Sequence, residues 1–171
     1  ALERRAERRH CNVRKRVGSA CLDLEIQRVA ALLNSWLELE AQREGDFSII
    51  EQEDSHELTL GSLILNLRPD RIDQLEGGRQ VVIDYKTGAV HRSSWLGDRP
   101  SDAQLPLYAL LNDSVEGVAF GRVHQEGVEY VFLGEALGLG GKEIPLEDQV
   151  KRYEVAPLES WEELRRTWRG R

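Results

Sequence analysis

In the segment VVIDYKTGAV, residues 81–90, an apolar, strand-like run is interrupted by Asp84 and Lys86, one residue apart. Successive side chains of an extended strand face opposite ways, so the acid and the base emerge on one face and Tyr85 on the other. At an exposed strand end such a pair is a weak ion pair worth at most ~1 kcal/mol. A second acid changes its meaning. Asp70, in LRPDRID, lies fourteen residues upstream across a Gly77-Gly78 turn, and pairing the two segments brings both carboxylates together. Adjacent buried carboxylates repel and raise one another's pKa, so their approach makes sense chiefly with a cation between them. A hard ion such as Mg²⁺ takes one or two carboxylates, keeps several waters and accepts phosphate oxygens as its remaining ligands. Lys86 on the same face would meet that phosphate. A lysine among carboxylates keeps its charge, which suits it to stabilising phosphorane charge and orienting water rather than to taking a proton.

Further residues fit such a site: Glu51 or Glu53 on the preceding segment, and Gln104 with Tyr108, which are four apart and therefore share a helix face. Asp73 falls on the opposite strand face from Asp70 and is expected to pair with Arg71 or a loop. The elements that must position these groups follow from periodicity. Residues 19–43 carry Leu22, Ile26, Val29, Leu33 and Trp36 in alternating steps of four and three, one stripe of an amphipathic helix. FSIIEQE (47–53) is a strand. HELTL (56–60) and SLILNL (62–67) form a hairpin over Gly61-Ser62, and RIDQL (71–75) with RQVVIDYK (79–86) form another. Residues 87–101, rich in Gly, Ser and Pro, make a long loop of the kind that carries function. DAQLPLYALLN (102–112) returns to helical spacing with Asp102 as N-cap. Residues 117–125 and 127–134 form a third strand pair, 137–141 a flexible bend, and 157–169 a closing helix with Leu158, Trp161, Leu164 and Trp168 on one side. This order predicts an α/β (mixed α+β) fold, a central mixed sheet flanked by helices.

The chain of 171 residues and 19.5 kDa suits one domain with a real core. Its net charge of −7 is uneven: residues 1–17 carry +5, leaving −12 for the rest. An acidic body does not advertise nucleic-acid binding, but acidic groups also hold metal ions, and a phosphodiester-cutting domain can be acidic when attached to a larger basic machine. The first residue is Ala and the chain contains no Met, which gives the expectation of a piece of a longer protein: a basic lead-in over 1–18, a core over 19–134, and a loop with a closing helix over 135–171. No apolar run is long enough to span a bilayer and no signal peptide is visible, so a cytoplasmic setting without membrane association is expected. Cys11 and Cys21 lie ten apart outside any Cys-x-x-Cys grouping and are expected to be reduced thiols.

Asp-x-Lys on a strand, an upstream Asp and a Gln-x-x-x-Tyr helix together resemble the PD-(D/E)XK nucleases of the RecB/AddB type, over about residues 22–134. The likeness runs through FSIIEQE, LRPDRIDQLEGGRQVVIDYKTG and WLGDRPSDAQLPLYALL. It implies a restriction-endonuclease-like core and a Mg²⁺- or Mn²⁺-dependent deoxyribonuclease, an exonuclease domain of a helicase–nuclease in double-strand-break repair, with DNA and a helicase as partners. It also implies roles. Asp70 and Asp84 are metal ligands together with the Tyr85 main-chain carbonyl, Lys86 is the catalytic lysine, Glu53 is the acid of the preceding strand, and Gln104 and Tyr108 brace the site. Two departures stand out. Family members usually carry a metal-binding His four residues after a Gly on an N-terminal helix, whereas Gly18 is followed at that spacing by Leu22; His10, His56, His91 and His124 are expected at the surface. The four-cysteine iron–sulfur site of some relatives has no counterpart within this chain. A nuclease-like module that binds DNA or a helicase without cutting is the alternative.

Overall fold

The computed structural model describes residues 19–96, 100–140, 146–151 and 160–170. The basic lead-in with His10 and Cys11, and Leu158 of the closing stripe, lie outside the described residues. Five strands make the main sheet in the order β1-β4-β5-β6-β7: β1 (Phe47–Gln52), β4 (Arg71–Leu75), β5 (Gln80–Lys86), β6 (Val115–His124) and β7 (Gly127–Gly134). β2 (His56–Leu60) and β3 (Leu63–Leu67) form a separate antiparallel pair around Gly61, whose φ of 58° is one a side chain rarely adopts. The helices are α1 (Ser19–Glu40), α2 (Gln104–Tyr108), α3 (Leu146–Val150) and α4 (Trp161–Arg169). This is the mixed sheet flanked by helices that the element order predicts. No helix among the described residues is long and apolar enough to cross a membrane.

The centre of the sheet explains the apolar run before Asp84. Val81, Val82 and Ile83 are fully buried, because β5 is covered on both faces and pairs antiparallel with β4 and parallel with β6. A parallel pair needs a crossover, here residues 87–114, and its described part is better packed than its composition suggests. A short 3-10 turn, Arg92–Trp95, buries Trp95 against Phe120, and the Arg92 Nε donates to the Phe132 carbonyl at 2.7 Å. Trp168 of α4 donates its indole N–H to the Trp95 carbonyl. α2 is shorter than its spacing predicts. Ala103 occupies the cap position without a side-chain bond, and Asp102 instead accepts the Gln104 N–H at 3.0 Å from one residue further out. The far end of α2 is tied down by Arg165 of α4, which donates to the carbonyls of Ala109 and Asn112.

α1 departs from expectation. Of the predicted stripe only Trp36 is buried, while Ile26, Val29 and Leu33 are exposed, because only the last turns of the helix reach β6 and β7. Those turns carry a charge network. Arg71, at the start of β4, donates Nε and Nη2 to Asp73 at 2.6 and 2.7 Å, Nη1 and Nη2 to Glu40 at 3.0 and 3.1 Å, and Nη1 to the Tyr85 hydroxyl at 3.1 Å. Arg43 joins Asp73 at 2.5 Å and lies over the Phe47 ring, and the Tyr130 hydroxyl donates to Glu40. The expected Arg71–Asp73 pair is thus present, within a larger set that locks α1 onto β1, β4, β5 and β7.

Asp73 is fully buried and, like Glu40, is shared by Arg71 and Arg43, so removing Arg71 leaves two acids with one cation between them. Arg71→Met should therefore lower unfolding stability by about 3–5 kcal/mol, read by urea titration. Glu40 supplies a pH signature. Burial opposes its ionisation, but hydrogen bonds from Arg71 and Tyr130 and the charges of Arg71 and Arg43 outweigh that and hold its carboxyl below the ordinary range. Such an acid adds stability above its unfolded pKa and loses it as pH falls through the folded value. Glu40→Gln should be less stable than the parent at neutral pH and converge on it in acid; a pH-independent gap would contradict this origin.

Candidate active site

The last registered pair between β4 and β5 is Arg71 with Ile83, so one step further along the ladder Asp70 stands opposite Asp84. Asp70 is held there by its Oδ2, which accepts the Tyr85 N–H at 2.8 Å. Asp84 is buried and Lys86 half-buried on the same strand face, with Lys86 Nζ 2.5 Å from Asp84 Oδ2. Gln104 completes the cluster from α2. Its Oε1 accepts from Lys86 Nζ at 2.7 Å, and its Nε2 donates to Asp84 Oδ1 at 2.7 Å and to the Tyr108 hydroxyl at 3.0 Å. The Tyr108 hydroxyl in turn donates to the Arg68 carbonyl at 3.0 Å, which braces the turn leading into Asp70. The four-residue spacing of Gln104 and Tyr108 therefore does what a shared helix face allows, and the structure brings Asp70, Asp84, Lys86, Gln104 and Tyr108 together.

Burial pushes the Asp84 carboxyl above the usual aspartate range; Lys86 pulls against it, and the charges of Asp70 and Asp102 add to it. The Tyr108 phenol is raised too, first by burial. Asp84 Oδ2, although beside Lys86, receives no well-directed hydrogen bond among the described residues. A buried carboxylate whose Oδ2 has only the Lys86 ammonium beside it, next to a second carboxylate, is a donor set that fits a hard divalent cation with one or two carboxylate ligands. Among the described residues there is no cluster of three or more His, Cys, Asp or Glu side chains placed to hold a metal.

The other candidates are dispersed. Glu53 follows β1 with a φ of 54° and donates its N–H to the Asp70 carbonyl, but its carboxylate is exposed and paired with Arg68. Glu51 stands 2.6 Å from His56. Asp73 belongs to the charge network behind the sheet. His91 is exposed and His124 half-buried beside Glu126. Sequence reasoning missed Arg68, which carries both the Tyr108 acceptor and the Glu53 counter-ion; a cation two residues before Asp70, on the same side of an extended run, was the available signal. Asp102 was expected only as a cap, and its charge also acts on Asp84.

The solved structure titled "Crystal structure of SSO0001" is 18% identical, with a TM-score of 0.37; the match covers 81% of this chain and 63% of that one. No curated protein matches the chain. The family model of the PD-(D/E)XK nuclease superfamily matches residues 1–171. By that match the chain belongs to the PD-(D/E)XK nuclease superfamily, and its mixed five-stranded sheet with flanking helices is consistent with a restriction-endonuclease-like core.

Proposed function

We propose that this chain is a Mg²⁺- or Mn²⁺-dependent deoxyribonuclease domain that hydrolyses DNA phosphodiesters. The observation that carries the reading is the single hydrogen-bonded cluster of Asp84, Lys86 and Gln104 with Asp70 one ladder step away. Asp70 and Asp84, with the Tyr85 main-chain carbonyl, would hold the cation. When bound, such an ion neutralises phosphate charge and makes water more acidic. Lys86 contributes a positive charge against the phosphate oxygens as negative charge builds up during attack. Gln104 holds the Lys86 ammonium and the Asp84 carboxylate in one geometry, so that the lysine does not need to be reoriented at the moment of reaction. Tyr108 fixes the turn that presents Asp70. Glu53, whose N–H bonds the Asp70 carbonyl, is in this reading the acid of the preceding strand, exposed beside the site. The order of D-R-I-D, D-Y-K-T-G and Q-L-P-L-Y supports the finer placement as a RecB/AddB-type exonuclease domain working with a cytoplasmic helicase in double-strand-break repair.

A second reading is a nuclease-fold module that holds DNA or a helicase without cutting. It is favoured by the two-carboxylate donor set, which binds a cation more loosely than a fuller one. Digestion of linear DNA in Mg²⁺ separates the two.

Asp84→Asn should abolish metal-dependent cleavage while leaving the fold intact. Because an acid whose pKa rises on folding costs stability above that range, the variant should melt at or above the parent in chelator at neutral pH, the difference fading in acid. A variant that melts lower yet still cuts overturns the assignment. Lys86→Ala should lower turnover about 10²–10³-fold, as when one transition-state stabiliser is lost. Calorimetry should find Mn²⁺ binding retained; its disappearance would move Lys86 from catalysis to site assembly.

A further inference from the structure

On the face of β5 opposite Asp84 lies an open groove of about 800 Å³, whose walls among the described residues include Trp36, Gln52, Arg71 and Tyr85 together with three carboxylates, Glu40, Glu53 and Asp70. Tyr85 is its most distinctive wall. It remains 39% exposed, an unusual degree for an aromatic ring in a central strand. Its orientation is nonetheless fixed from three sides. Trp36 meets it edge-on with ring centroids 5.3 Å apart, and Arg71 holds its hydroxyl at 3.1 Å. Beneath it stands Gly121, its partner across β5–β6, where a Cβ would come within 2.7 Å of the Trp36 ring and 2.9 Å of the Tyr85 ring. The missing side chain is what lets both rings settle over the sheet.

Asp70 connects this groove to the cluster on the other face. Its side chain lines the groove, and its Oδ2 accepts the Tyr85 N–H at 2.8 Å. Residue 85 thus touches the acid site through its backbone and the groove through its ring. A nucleotide has the same two-part form, a phosphate with a flat base one sugar away. A pinned, half-exposed phenol ring offers the planar apolar surface on which a base stacks whatever its sequence, and the Gln52 amide at the wall offers both a donor and an acceptor for a base edge.

We propose that this groove receives the nucleobase adjoining the scissile phosphate, stacked on the Tyr85 ring, so that the preferred substrate is a strand whose bases are unpaired near the cut. The proposal rests on the nuclease reading above for the position of the phosphate. A paired base is already stacked on both sides and its Watson–Crick edge is occupied, so the groove discriminates against intact duplex.

The test is fluorescence anisotropy of a labelled short single-stranded oligodeoxynucleotide with the full chain in Ca²⁺, against the same strand made abasic throughout, and alongside duplex. The intact single strand should bind more tightly than either. Tyr85→Ala should weaken binding of the intact strand about 5- to 100-fold and leave the abasic strand unaffected. Tyr85→Phe should preserve the difference. Tyr85→Leu, which keeps apolar contact with Trp36 without a planar ring, guards against a folding defect and should behave as the Ala variant does. Equal affinity for intact and abasic strands, no binding of either, or unaltered binding by both the Ala and Leu variants overturns the base site. Cleavage in Mg²⁺ keeps the two readings apart. A parent chain that cuts intact and abasic strands alike leaves the nuclease standing without the base site. One that discriminates in binding but never cuts leaves the base site without the nuclease.

Discussion

One guanidinium organises this molecule. Arg71 sits where β4 begins, directly after Asp70, and its donors are divided among Asp73 on its own strand, Glu40 at the end of α1 and the hydroxyl of Tyr85 on the neighbouring strand. A lysine could not do this, because only a planar fork presents donors in several fixed directions at once. The consequence is that helix position, strand register and the orientation of Tyr85 are determined together. The opposing acids outnumber Arg71; Arg43 supplies the second positive charge, and the Tyr130 hydroxyl adds a hydrogen bond to Glu40. Buried ion sets of this kind add little net stability over apolar packing, but a wrong register would leave one of their charges unpaired, which is a severe penalty.

The period of two in a strand then divides the chemistry. Odd and even positions of IDYK serve different sides of the same sheet: Asp84 and Lys86 meet α2, while Tyr85 meets α1. Each side has its own apolar core, one around Trp95, Leu105 and Phe120 and the other around Trp36, Ile83 and Phe132. Asp70 lies at the margin between them, which is why a loop residue rather than a strand residue completes the acid pair.

How far these features could be read from the residues depended on how local their causes were. The Asp70–Asp84 approach follows from a Gly-Gly turn and antiparallel counting, and the Gln104–Tyr108 pairing from helical spacing. Both are short-range geometry. The exposure of Ile26, Val29 and Leu33 was not readable, because periodicity reports that a helix has an apolar face and not whether the body extends far enough to cover it. Nor was the engagement of Glu53 with Arg68, since two charges fifteen residues apart meet only once β1 and the turn before β4 are side by side. Trp95 looked like part of an unstructured loop for the same reason: its burial is decided by Phe120 and Trp168, both distant in sequence.

The parallel pairing of β5 with β6 also orders events in time. Contacts between β4 and β5 close over a few residues, so the two carboxylates can meet as soon as a hairpin forms. Gln104 arrives only when the whole crossover has been laid down and β6 has docked, a closure over a much longer loop with a correspondingly larger entropic barrier. On a growing or refolding chain the acids therefore come together before the group that organises them. Substitutions along the crossover, far from the carboxylates, act on how quickly a competent site appears as well as on how well it is held.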